Sequence, residues 1–214
     1  MNYVKSDDLV DIFKLLNESK LEYILMRNIN NELPHILEIG KDIDILVKDR
    51  NKVAEVLKKN KFNKINHPHE HNIFLYGVEK FEFYKNNEDV LFDLNFQIAV
   101  KSLDAGQWIP LDQSIQESAW QNKRFERAGG GLEYWTFSYE DEMVALIARS
   151  VFDKKEFQAG YVSRLDELLP MVNKDDVLNK MKLIFFKYAP ILLRQIELQN
   201  YPDIVINYLK FKEY

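Results

Sequence analysis

Three aspartates have a type and spacing that suggest chemistry: Asp42 and Asp44 in GKDIDILV, and Asp93 in VLFDLNFQI. Side chains alternate along a strand, so Ile43, Ile45 and Val47 share one face of the first segment and Asp42, Asp44 and Leu46 the other. Two adjacent carboxylates on a half-buried sheet face repel each other and are driven toward protonation unless a cation sits between them. A divalent metal resolves that conflict. The chain contains no cysteine, which excludes disulfides, zinc–thiolate sites and thiol catalysis, and a set of hard oxygen ligands suits Mg²⁺ or Mn²⁺. Asp93 has apolar, strand-like neighbours on both sides, and a strand laid beside the first would bring it to the same metals. Three strand carboxylates then describe a two-metal site. The alternative is an edge strand whose charges protect a solvated face from aggregation.

The elements that must position these acids are readable from periodicity. Leu9, Ile12, Phe13 and Leu16 fall on one face of a helix that Ser6 can cap, with Asp7 and Asp8 in its first turn. EYILMR and KDIDILVK read as strands, followed by a helix from about Asp49 to Asn60 with Val53, Val56 and Leu57 on its apolar side. NIFLYG, KFEFYK and VLFDLNFQI are further strands, the last two joined across NNED. From Ser138 the pattern turns helical, beginning with SYED, in which Ser138 caps and Asp141 reaches back. DEMVALIARSVFDKKEF, YVSRLDELLPMV, DDVLNKMKLIFFKYAPILLRQIEL and YPDIVINYLK predict about four helices, with Gly160, Pro170 and Pro202 as punctuation and a kink in the longest at Pro190. The stretch from Val100 to Tyr134 is the least legible, and AGGG at 128–131 reads as a turn. The expectation is an α+β mixed sheet with flanking helices over residues 1–137 and a helical subdomain over 138–214.

With 214 residues, 46% of them hydrophobic, the chain can fill a proper core. No apolar run is long enough to span a bilayer, and acids occupy the place where a signal peptide would be apolar, so the expected location is the cytoplasm. A net charge of −5 from mixed signs makes a long nucleic-acid duplex an unsuitable main partner. HPHEH places His67, His69 and His71 at a period of two, with three open readings: a transition-metal site, a contact from His69 to substrate phosphate or sugar, or a solvated strand entry.

GKDIDILV followed some fifty positions later by LFDLN resembles the Asp-x-Asp and distant-Asp signature of the DNA polymerase β-like nucleotidyltransferase superfamily. LMRNINNELP at 25–34 and FDKKEF at 152–157 resemble, more closely, a bacterial nucleotidyltransferase family found with surface-polysaccharide genes. The resemblance implies two Mg²⁺ ions on Asp42, Asp44 and Asp93, one of which activates an acceptor hydroxyl for attack on the α-phosphorus of a nucleoside triphosphate. It implies a small acceptor, such as a sugar, a polyol or their phosphate. Where the superfamily carries Gly-Ser at the end of its first strand, this chain has Arg27-Asn28. Arg27 could supply a guanidinium fork in place of the missing amides and hydroxyl, and Asn28 a side-chain amide; equally, the donor could differ from an ordinary nucleoside triphosphate. Lys41 joins them as a substrate contact. The resemblance also implies that the helical half closes over the sheet, with Lys154 the favoured donor contact and Arg149, Lys155, Tyr161 and Arg164 as further candidates; the alternative is a solvated helix face. Two rival classes stand beside this reading: a catalytically silent nucleotide- or partner-binding domain of the same fold, and a metal-binding protein organised on HPHEH.

Overall fold

The computed structural model describes residues 2–66, 75–103 and 106–212. Helix α1 (Ser6–Glu18) buries Leu9, Ile12, Phe13 and Leu16, as the spacing requires. Ser6 does not cap it. Lys5 holds the cap position, because the preceding residues are pinned as extended chain by the bond from Val4 N to Leu37 O, and the Ser6 hydroxyl lies 3.1 Å from His35 Nδ1 instead. Strands β1 (Tyr23–Leu25) and β2 (Asp42–Val47) precede helix α2 (Arg50–Lys59), which Asp49 caps by accepting from Lys52 N. Strands β3 (Asn63–Ile65), β4 (Glu82–Lys85) and β5 (Leu91–Asn95) follow, with β4 and β5 closed across the expected NNED turn. The expected NIFLYG strand lies partly outside the described residues; Leu75 makes an isolated bridge to Trp108.

The poorly legible stretch contains a two-stranded ribbon of β6 (Ala99–Lys101) and β7 (Trp108–Pro110), helix α3 (Gln113–Gln121), and a hairpin of β8 (Arg124–Arg127) and β9 (Glu133–Thr136). AGGG forms the turn of that hairpin. The main sheet has seven strands in the order β3-β4-β5-β2-β1-β9-β8. β2 runs parallel to β5 and β1 parallel to β9, and the remaining neighbours are antiparallel.

Strand alternation divides the core between the two faces of this sheet. Ile43, Ile45 and Val47 bury with Phe13, Leu16, Val53 and Leu57 on the side of α1 and α2. Ile24 and Leu46 bury on the other side, among Met143, Val144 and Ile147 of helix α4 (Tyr139–Arg149). That second face is therefore apolar at one end of β2 and acidic at the other.

Ser138 caps α4 by accepting from Asp141 N, and its hydroxyl donates to Asp141 Oδ2 at 2.7 Å, close to the expected capping box. The buried Asp141 also pairs with Lys180, which ties α4 to helix α6 (Lys174–Phe185). Beyond Arg149, α4 widens into one π-helical turn (Ser150–Lys154) and stops at Lys155, whose φ of 57° is left-handed. Helix α5 (Ala159–Leu168) comes next. The expected kink at Pro190 is replaced by a full break. Phe186 leaves helical geometry at φ 49° and ψ −126°, and a short 3-10 turn leads into α7 (Ala189–Glu197), where Pro190 sits in the first turn and its missing N–H costs nothing. Helix α8 (Ile204–Lys210) ends the described chain, so this half has five α-helices among the described residues rather than about four. No helix of the described residues is long and apolar enough to cross a membrane.

Candidate active site

The acidic end of the sheet is built by register. Parallel pairing of β2 with β5 sets Asp44 level with Asp93, and the two-residue period places Asp42 on the same face. Asp42, Asp44 and Asp93 each offer an oxygen within 4.8 Å of the others, the one such acidic group among the described residues. The Oδ1 of Asp93 is buried with no hydrogen-bond partner. Burial first, then the charges of Asp44 and Asp42, push its carboxyl up from 3.8 to about 8, against the opposing pull of Arg27 and Arg149. An orphaned buried carboxylate oxygen among three hard oxygen donors fits a divalent cation of the Mg²⁺ or Mn²⁺ type.

Facing the acids is a chain of cations held in place by one phenol. Arg27 follows β1, whose neighbour Met26 is hydrogen-bonded to Asp44 O, and its guanidinium pairs with the Asp44 carboxylate through Nη2. Its Nη1 donates to the Tyr161 hydroxyl at 2.9 Å, and Arg149 Nε donates to the same oxygen at 3.0 Å. A phenolic oxygen has two lone pairs, so it can accept from both guanidiniums at once. Burial would raise the Tyr161 pKa, but the two positive neighbours outweigh it and lower the pKa below the ordinary phenol value. Burial likewise opposes the charge on Arg27, while Asp44 and Tyr161 hold it firmly protonated.

Two residues that sequence reasoning missed make this arrangement possible. Asp153, whose side chain is only 5% exposed, accepts from Arg149 Nη1 at 3.1 Å and from Lys101 N at 2.7 Å, which joins the end of α4 to β6. The signal was present: Asp153 stands four residues after Arg149 in a helical register, directly after Val151 and Phe152. Gly160 is the other. A Cβ there would lie 2.9 Å from Ile29 Cγ2 and about as close to the Asn30 amide, so only glycine lets α5 approach the bend after β1 closely enough to deliver Tyr161.

The result is a cleft of about 380 Å³ between the acidic end of the sheet and the start of α5. Arg27, Asn28, Lys41, Asp42, Asp44, Arg149, Lys154 and Tyr161 all line it. Asn28 spends its side chain on its own loop, where Oδ1 accepts from Leu33 N at 2.9 Å and Nδ2 lies 3.4 Å from the Tyr134 hydroxyl. Lys41 is paired at the rim with Glu32, 2.6 Å from Oε1. Lys154 is exposed and lies at the cleft, whereas Lys155 turns away and donates to Leu103 O at 2.9 Å. Arg164 is held by Glu142 and Glu167 and does not line the cleft, because Glu142 is a buried acid that needs Arg164 and Arg124 as counter-charges. His67, His69 and His71 lie outside the described residues.

No family model matches the chain, and no curated protein matches it. Among solved structures, the antibiotic-resistance factor ANT(2'')-Ia aligns over 90% of this chain and 99% of its own, at 11% identity and a TM-score of 0.49. An antigenic nucleotidyltransferase-like protein from Paracoccidioides brasiliensis aligns over 96% of this chain and 100% of its own, at 14% identity and a TM-score of 0.46.

Proposed function

We propose that this chain is a metal-dependent nucleotidyltransferase of the DNA polymerase β-like superfamily. It transfers a nucleotidyl or phosphoryl group from a nucleoside triphosphate to a small hydroxyl or phosphate acceptor of the sugar or polyol class, in surface-polysaccharide metabolism. The observation that carries this reading is the orphaned Oδ1 of Asp93, buried beside Asp42 and Asp44, two carboxylates that line a cleft together with Arg27, Arg149 and Lys154. In this reading residues 1–137 form the catalytic domain, 138–214 the helical subdomain, and the protein works in the cytoplasm.

Asp42, Asp44 and Asp93 would hold Mg²⁺ or Mn²⁺. Bound there, the metal neutralises charge on the reacting phosphate and lowers the pKa of the acceptor hydroxyl. The chain's own residues do the rest. Asp93, set level with Asp44 by the pairing of β2 with β5, is the group assigned to draw the proton from the acceptor hydroxyl. Arg27 and Arg149, fixed relative to each other by Tyr161, present guanidinium forks to the donor phosphates, and Lys154 adds an exposed ammonium at the cleft. Asn28 acts through the loop it folds, and Lys41 acts with Glu32 at the edge of the cleft.

Thermal stability measured with Mg²⁺ plus each nucleoside triphosphate, followed by release of pyrophosphate (nucleotidyl transfer) or nucleoside diphosphate (phosphoryl transfer) over a panel of sugars, polyols and their phosphates, tests the proposal. Stabilisation that needs both metal and nucleotide, and disappears in Asp42→Asn, supports it; no such stabilisation overturns it. The pairing of Arg27 with Asp44 favours a second reading, a silent domain that binds nucleotide without turnover. Metal-dependent stabilisation with no product from any acceptor would select that one.

A further inference from the structure

Arg27 has two roles open to it that it cannot fill together. Its Nη2 neutralises Asp44, one of the three carboxylates assigned to the metal, while the same guanidinium lines the cleft where donor phosphates would lie. The Arg27 and Asp44 side chains are 17% and 16% exposed, so neither charge is well hydrated without the other. We propose that Arg27 is a built-in competitor of the divalent metal at Asp44, and that it is released toward the donor phosphates when the metal takes that carboxylate. The proposal rests on the metal-site reading given above.

The surroundings of Arg27 suit such a transfer. When it gives up Asp44, Arg27 keeps one neutral partner in the Tyr161 hydroxyl, 2.9 Å from Nη1, so the guanidinium pivots about that contact instead of swinging free. Tyr161 is steadied by Arg149, and Arg149 by Asp153, which is anchored to the backbone of Lys101. The freed Nη2 edge then needs an anion, because a half-buried guanidinium that has lost its carboxylate is costly. A polyphosphate supplies it in bidentate geometry. Metal alone must displace Arg27 with nothing to receive it, and polyphosphate alone must compete with Asp44 for the fork. Each therefore binds weakly alone and helps the other, and the coupling is reciprocal by thermodynamic necessity.

The test measures binding, with Mn²⁺ as the probe in the absence of nucleotide and the preformed Mn²⁺–tripolyphosphate complex as the second probe. In Arg27→Gln the affinity for Mn²⁺ alone should rise by at least about fivefold, the lower end of ordinary coupling, and the affinity for the complex should fall by at least about as much. Opposite signs are the signature, since a purely structural Arg27 would weaken both. Unchanged or weaker Mn²⁺ binding by this variant, with the wild type binding Mn²⁺, overturns the competition and leaves the metal site standing. Failure of the wild type to bind Mn²⁺ overturns the metal reading and this inference with it. A measurement on the wild type covers the case in which the variant does not fold. The ¹⁵N guanidinium resonances of Arg27 should shift on titration with diamagnetic Mg²⁺ alone, and resonances that do not respond while Mg²⁺ binds would overturn the proposal.

Discussion

Replacing Asp93 by asparagine should make the metal-free protein more stable and change how its stability depends on pH. The folded state holds the Asp93 proton up to about pH 8, whereas the unfolded chain releases it near the ordinary value of 3.8. Between those limits the folded state binds more protons than the unfolded one, so this group's contribution is fully present below pH 4 and declines as pH rises toward 8. The slope is about 1.4 kcal/mol per pH unit, so roughly 4 kcal/mol has been lost by neutral pH. Asparagine has the shape of the protonated acid and does not ionise. The variant should therefore match the wild type near pH 4 and exceed it at pH 7 by a few kcal/mol, a Tm rise of order 5–15 °C for a chain of this size. Urea unfolding at pH 5, 6, 7 and 8 in EDTA measures the difference, with titrating groups remote from the acidic cluster cancelling between the two proteins. Saturating Mg²⁺ should then stabilise the wild type and leave the variant nearly unmoved. Parallel pH profiles for the two proteins would refute the reasoning, because Asp93 would then not be a buried acid under repulsion.

Asp42→Asn and Asp44→Asn should each abolish transfer, but their metal-free stabilities should diverge in chemical denaturation. Asp42→Asn relieves repulsion and should hold or gain stability, while Asp44→Asn strips Arg27 of its counter-charge and should lose about 1–3 kcal/mol. Lys154→Ala should lower turnover at least about tenfold, equivalent to roughly 1.4 kcal/mol, whereas Lys155→Ala, whose ammonium is tied to Leu103 O, should do much less in the same assay at saturating acceptor. Gly160→Ala sets two effects in opposition: helix propensity favours alanine by about 1 kcal/mol, but overpacking against Ile29 costs about 1–3 kcal/mol. A net loss of stability with a raised KM for the donor is expected, relieved in the double variant with Ile29→Ala; equal stability of Gly160→Ala and wild type would show that α5 does not bear on the bend after β1.

The acidic site was legible because its signal is local. Alternation in DIDILV assigns Asp42, Asp44 and Leu46 to one face and Ile43, Ile45 and Val47 to the other without reference to any other segment, and the structure sets the two sets on opposite sides of the sheet. The face of α1 and the cap at Ser138 were legible for the same reason, since a helix repeats within four residues. Residues 100–134 were not. There α3 buries a polar Gln116 whose amide bonds Ile98 on both sides, contrary to any apolar pattern. Breaking at Phe186 rather than bending at Pro190 likewise depended on packing, because proline announces that a regular helix cannot continue but not where the chain will yield.

Composition and periodicity determined which side chains could bind a metal and which face they share. Tertiary structure decided which charges answer them. The partners of Arg27 lie 17 residues away at Asp44 and 134 residues away at Tyr161. No repeat in the sequence encodes those separations; they follow from the parallel register of β2 on β5, from the turn that sets Asp153 under Arg149, and from Gly160, where the absence of a side chain lets α5 meet the bend after β1.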